Sequence, residues 1–173
     1  IKPEEKFLIP SICKSHKLRG KAIYVGDTYL FRDDIVNLFK ELKDESLIWG
    51  TKFREGRLTW SKMLVFNLEQ PVLYTKLLPE SVKKWKDNFL YNFKWIALKD
   101  TIIDFEVGEI PLEWCYIPEY SEKITHSSDI KAINFENEKP WIDPYCKYAT
   151  EWLHEYRLFI TNETLPLLKK VLT

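Results

Sequence analysis

The sequence predicts an α/β domain with a mainly parallel sheet flanked by helices, and three observations predict it. Short apolar runs such as Ala22-Ile-Tyr-Val25 and Met63-Leu-Val-Phe66 read as strands buried on both faces. Segments with apolar residues at helical spacing alternate with these runs, the order that builds a layered α/β domain. Composition supplies the core: of 173 residues, 45% are apolar and 15% aromatic, and a chain of this size hides about two-thirds or more of its unfolded surface in one core. No repeat, low-complexity tract or Gly/Ser linker divides it, so residues 1–173 read as a single domain.

Glu4 to Lys14 has the character of a helix that Pro10 interrupts or kinks. After Gly20, Lys21 to Val25 is a buried-strand signal ending at the turn Gly26-Asp27. Asp33 or Asp34 caps a helix whose apolar positions are Ile35, Leu38, Phe39 and Leu42. Leu47 to Trp49 and Met63 to Phe66 are expected as strands, with a charged loop between Thr51 and Thr59. Pro79, Glu80 and Ser81 open a helix towards Leu90, with proline in the tolerated first turn. Ala132 to Phe135 is one more strand. Two helices close the chain, Tyr145 to Phe159 and one capped near Asn162 that carries Leu165, Leu168, Val171 and Leu172. Ligands of such sheets bind at carboxyl ends of strands, which directs attention to Gly26-Asp27-Thr28.

Lysine plus arginine equals aspartate plus glutamate at 26 each, so no overall basic field draws nucleic acid or an anionic membrane. Lys83, Lys84 and Lys86 read as the solvated face of a helix. Cys13, Cys115 and Cys146 are widely spaced without a C-x-x-C pair, which argues against a zinc site or disulfide framework. A reducing, cytoplasmic compartment is expected over secretion. No apolar run reaches the roughly 18 residues of a membrane span, and no signal peptide is visible. The first residue, Ile1 rather than Met, suggests a piece of a longer chain. His16, His126 and His154 lack metal-site spacing, and no dinucleotide, P-loop or G-x-S-x-G signature occurs.

Four segments concentrate chemistry. The first is Lys21-Ala-Ile-Tyr-Val-Gly-Asp-Thr-Tyr-Leu-Phe-Arg-Asp-Asp-Ile35, followed by Asn37-Leu-Phe39. The second, Thr59-Trp-Ser-Lys-Met-Leu-Val-Phe-Asn67, offers the flat apolar face of Trp60 for stacking and Ser61 and Asn67 for hydrogen bonds. The third is Asp104-Phe-Glu-Val-Gly-Glu-Ile-Pro-Leu-Glu-Trp-Cys115. The fourth is Lys131-Ala-Ile-Asn-Phe-Glu-Asn-Glu-Lys-Pro-Trp141, followed by Tyr145, Ala149, Glu151 and Trp152. Taken singly, Gly26-Asp27 also reads as an ordinary turn, Trp60 as core and the acidic third segment as a solvated loop.

In this order the four segments resemble the C-terminal two-thirds of a GT-A-type nucleotide-sugar glycosyltransferase, family 8-like, over nearly the whole chain. The resemblance implies a Rossmann-related mixed sheet whose first β-α-β units, the nucleotide-binding half, lie upstream of Ile1. It implies transfer of a sugar from a nucleoside-diphosphate donor to a glycan or other hydroxyl acceptor. Asp27, Thr28, Lys139 and Trp141 fall at the donor and diphosphate. Trp60, Ser61, Asn67 and Trp114 fall along the sugar and acceptor cleft. Asp104 and Glu106 fall at the catalytic carboxylates, where a carboxylate takes the acceptor's proton as a base in an inverting enzyme, or positions the acceptor or stabilises charge on the reacting sugar in a retaining one. The family's metal, manganese or magnesium, would be held by a D-x-D pair and a histidine. Here D-x-D reads Gly26-Asp27-Thr28, Asn134 replaces the histidine and Cys115 replaces an asparagine, which leaves Asp27 and Asn134 as the metal positions. The alternative is a degenerate glycosyltransferase-like domain that serves as a binding or structural module. Expected partners are the nucleotide-sugar, the acceptor and the absent N-terminal half, with no nucleic acid and no membrane span.

Overall fold

A computed structural model of the chain describes residues 3–42, 45–52, 58–85, 90, 107–118, 126–136 and 138–164. Its centre is a four-stranded sheet of order β1-β4-β3-β5, formed by β1 (Lys21–Val25), β3 (Ile48–Lys52), β4 (Leu58–Asn67) and β5 (Val107–Ile110). A separate two-stranded ribbon pairs β2 (Tyr29–Phe31) with β6 (Ala132–Asn134). The architecture is α/β and the sheet mixed, but its balance corrects the expectation of mainly parallel strands. Among the described strands β4 runs antiparallel to both β1 and β3, and only β3 and β5 pair in parallel. The reason lies in connectivity: β3 and β4 follow each other closely in the chain, and a short connection can only join antiparallel neighbours.

Alternation along the strands sorts the core into two faces. Leu64 and Phe66 of β4, with Ile48 of β3, pack with Phe7, Cys13, Leu73, Leu77 and Val82 on one side. Met63, Val65 and Trp49 pack with Leu38, Leu42, Ile110 and Trp114 on the other. Such burial on both faces is what the unbroken Met-Leu-Val-Phe run encodes. The first face is covered by α1 (Ile9–Ser15), α3 (Pro71–Lys76) and α4 (Pro79–Lys84), and the second by α2 (Ile35–Glu41). β1 is an edge strand among the described residues, and all five of its residues are only half-buried.

Local chemistry fixes most helix starts. Asp34 caps α2, its carboxylate accepting from the Val36 amide at 2.9 Å. Pro79 opens α4 and Pro10 sits in the first turn of α1, where a missing amide hydrogen costs nothing. The N-terminal helix therefore divides into a 3₁₀ segment, Pro3–Leu8, and α1. The charged stretch expected as a loop is shorter than Thr51 to Thr59, because Thr51 pairs with Thr59 and Lys52 with Leu58. Helix α5 spans Ala149–Phe159 and starts later than Tyr145, since Tyr148 adopts a left-handed conformation with φ of 66°. It runs directly into a π-helical turn, Ile160–Thr164, and the expected apolar residues from Leu165 onward lie outside the described residues. Among the described residues no helix is long and apolar enough to cross a membrane, and Cys13, Cys115 and Cys146 are buried and joined in no disulfide.

Gly108 marks the tightest inter-strand approach: it faces Trp49 across the β3–β5 pair, and an added Cβ would collide with the indole ring. Gly108→Ala is expected to destabilise the fold by about 1–3 kcal/mol, the usual cost of overpacking, read as a lower urea midpoint with an unchanged slope.

Candidate functional site

The ribbon places the candidate site. β1 ends at Val25, the chain turns through Gly26, Asp27 and Thr28, and β2 then pairs antiparallel with β6 in the register Tyr29↔Asn134, Leu30↔Ile133 and Phe31↔Ala132. The Thr28 carbonyl accepts from the Phe135 amide at 2.8 Å, which extends the ribbon by one bond. Thr28 and Asn134, 106 residues apart, are brought together: the Thr28 hydroxyl donates to Asn134 Oδ1 at 2.7 Å. Asn134 is fully buried, its backbone amide donates to the Tyr116 carbonyl at 2.8 Å, and its Nδ2 has no partner. Asp27 is exposed at the tip of the turn.

A second polar pair lies on the same ribbon. The Tyr29 hydroxyl and Cys115 Sγ are 2.8 Å apart and hydrogen-bonded. Cys115 follows the 3₁₀ turn Leu112–Trp114, which the Lys131 amide anchors by donating to the Glu113 carbonyl at 2.8 Å. Tyr29 is half-buried as a residue, yet its phenol end points inward. Burial, with Cys115 beside it, pushes the Tyr29 hydroxyl well above its usual range, so it stays protonated. Thr28, Asn134 and Cys115, the positions that depart from the glycosyltransferase pattern, thus gather around one ribbon.

Lys139 and Trp141 follow β6. Lys139 is half-buried, its ammonium 5.9 Å from the Trp141 ring centre, and its carbonyl accepts from the amides of Ile142 and Asp143. Trp141 leans on Trp152 at 5.3 Å, and Trp152 stacks on Tyr156 at 5.1 Å. This aromatic row joins α5 to the reverse side of the ribbon, where Leu30, Tyr116, Ile133 and Phe135 form a small core. Arg32, a residue the sequence reading passed over, ties the ribbon down by donating to the Ser127 carbonyl and pairing with Glu151 at 3.2 Å.

Other expected site residues are placed elsewhere. Asn67 pairs with Lys21 at the end of the sheet away from Thr28, and its amide donates to the Ser46 carbonyl while its Oδ1 accepts from the Glu69 amide. It braces a turn there. Trp114 is fully buried, its indole donating to Glu41 at 3.1 Å with Lys131 over its ring, so it supports the floor of the domain and presents no face to a sugar. Trp60 and Ser61 lie on β4, and their side chains fall outside the described residues, as do Asp104 and Glu106 entirely. His126 is exposed ahead of the turn Ser127–Asp129. An open depression of about 620 Å³ bounded by Arg32, Glu41, Glu113 and Lys131 contains none of the expected site residues.

The donor atoms at the ribbon do not fit a divalent metal. Manganese and magnesium want several oxygen ligands, with carboxylates to balance charge. Thr28 and Asn134 contribute a hydroxyl and an amide already bonded to each other, and the atom left over is an N–H donor. Asp27 is the only carboxylate of the Gly26-Asp27-Thr28 turn, and among the described residues no three His, Cys, Asp or Glu side chains converge as a metal site would need. No protein-family model matches the chain, and no curated protein matches it.

Two outcomes follow. Thr28→Val strips the buried Asn134 carbonyl of its donor and is expected to cost about 1–3 kcal/mol, whereas Asn134→Leu, which also removes the orphan amide, costs less. In a double-mutant cycle by urea unfolding, the double variant should match Asn134→Leu alone. The Tyr29 hydroxyl gives a pH dependence: its folded pKa lies above the unfolded value of about 10, so its contribution is intact below that pH and is lost as pH rises beyond it. Alkaline unfolding curves should be flatter for Tyr29→Phe than for the native chain.

Proposed function

We propose that the chain is the acceptor-side and diphosphate-binding part of a GT-A-type glycosyltransferase, which moves a sugar from a nucleoside-diphosphate donor to a hydroxyl acceptor. One observation carries the reading. Thr28 from the first segment, which the resemblance puts at the donor diphosphate, and Asn134 from the fourth, which it puts at the metal position, are hydrogen-bonded although 106 residues separate them. A chance likeness of short motifs gives no reason for that meeting.

In the proposed reaction the bond between the sugar's anomeric carbon and the diphosphate oxygen breaks, and a bond from that carbon to the acceptor oxygen forms. The nucleoside diphosphate leaves with the electron pair, and the acceptor's proton passes to a base. Lys139 meets the charge that develops on the leaving diphosphate. Trp141, 45% exposed, keeps part of its ring available beside Lys139 for the donor. Asp104 and Glu106 are the candidate groups at the acceptor hydroxyl, as base or as positioning residues. The half-buried edge strand β1 suits association with a further strand, which supports pairing with a separate nucleotide-binding half.

A second reading, a binding or structural module without turnover, is favoured by the same bond, because Thr28 and Asn134 satisfy each other. Calorimetry with a panel of nucleotide-sugars, run with and without manganese, tests the donor site. Binding is expected, and Lys139→Ala should weaken it about tenfold, equivalent to about 1.4 kcal/mol. No binding of any donor ends the transferase reading. Donor binding without sugar transfer to any acceptor, in the chain joined to its nucleotide-binding half, selects the module.

A further inference from the structure

We infer that this chain binds the diphosphate of its donor without a divalent cation, the charge being met by protein N–H groups and lysine. The inference rests on the donor-binding reading above and concerns what replaces the metal at that site. Thr28, Asn134 and Cys115 all stand where the resemblance expects other polar residues, and the structure explains them jointly. Thr28 is spent on Asn134 at 2.7 Å and Cys115 on Tyr29 at 2.8 Å. Neither pair carries a charge that needs a cation: a hydroxyl and an amide are neutral, and the Tyr29 phenol is held protonated by its burial.

The orphaned atom points the same way. Asn134 Nδ2 is a donor, fully buried at the end of β6 and without a partner among the described residues. A buried unsatisfied N–H is unfavourable, and a phosphoryl oxygen relieves it where a cation would be repelled by its hydrogens. Because Asn134 is fully buried, a phosphoryl oxygen meets this atom only if the Thr28–Asn134 contact opens. Lys139 follows β6 on the same chain segment and brings a full positive charge. An ammonium acts on phosphate as a point charge and needs no preset coordination sphere.

The test uses the full chain and uridine, guanosine and adenosine diphosphates as probes. Each is titrated by calorimetry in excess manganese and again in EDTA, and manganese alone is titrated by electron paramagnetic resonance. At least one diphosphate is expected to bind with a Kd that agrees within about twofold in the two conditions, with no manganese held by the chain. A Kd weakened about tenfold or more by EDTA overturns cation independence while leaving the donor-site reading standing. No diphosphate bound in either condition overturns both. Asn134→Leu separates the ribbon from a generic basic surface: loss of binding in EDTA by a variant still folded at the assay temperature supports the inference, and unchanged binding overturns it. As a positive control, the triple substitution Gly26→Asp, Thr28→Asp and Asn134→His should create a manganese signal that the native chain lacks.

Discussion

The antiparallel pairing of Tyr29–Phe31 with Ala132–Asn134 is the constraint on which the described structure turns. It closes a long loop, and the entropy of that closure must be repaid by what the strands bring with them. Three residues per strand provide few ladder bonds, so the repayment comes from the faces. Tyr29, Phe31 and Ala132 join the core shared with Trp49, Met63, Val65 and Trp114. Leu30, Ile133 and Phe135 form the core against Tyr116, Tyr148 and Trp152. The ribbon is therefore a wall with an apolar layer on each side, and polar groups within it must find partners inside it.

That requirement shapes the neighbourhood. Arg32, at the end of β2, reaches the Ser127 and Ile130 carbonyls and Glu151, which binds the 127–130 turn and α5 to the ribbon. Lys131, just before β6, pairs with Glu41 at the end of α2 and lies over Trp114. Glu41 in turn accepts from the Trp114 indole. The end of the ribbon where Arg32 lies opposite Lys131 is thus fastened by charged groups, and the neutral pairs Thr28–Asn134 and Tyr29–Cys115 sit toward the other end. An exposed ion pair contributes little by itself; here the two pairs hold registration, and burial supplies the stability.

Much of this was legible in the sequence where one local signal dominates. Asp34 caps α2 because a short acidic side chain precedes an apolar helical stripe, and the Met63–Phe66 run is buried on both faces as its lack of polar residues demands. The failures share a cause. β2 is too short to show a period of two, and its existence depends on β6, far along the chain. Lys52 and Leu58 sit in a charged stretch that reads as loop, yet they pair with each other as the last described residues of β3 and the first of β4. The segment before α5 has helical composition, but Tyr148 at φ 66° ends that possibility locally. The sequence places Thr28 and Asn134 in separate segments, and the structure joins them by a hydrogen bond. The sequence did not reveal that Cys115 answers Tyr29, or that Asn67 and Trp114 spend their polar atoms on bracing, because hydrogen-bond partners distant in sequence leave no spacing signal.

The departures from the metal pattern also constrain one another, which bears on how they are to be read. A carboxylate at position 28 would remove the hydroxyl hydrogen that Asn134 Oδ1 accepts. A histidine at 134 would have to fit a fully buried slot occupied by an amide that takes the Thr28 hydrogen. Each change therefore disturbs the same pair. Here four polar side chains form two closed pairs, and a single amide nitrogen is left over. The polar side chains of the ribbon are therefore neutral and mostly paired with one another, and among the described residues Asn134 Nδ2 is the buried side-chain donor left without a partner.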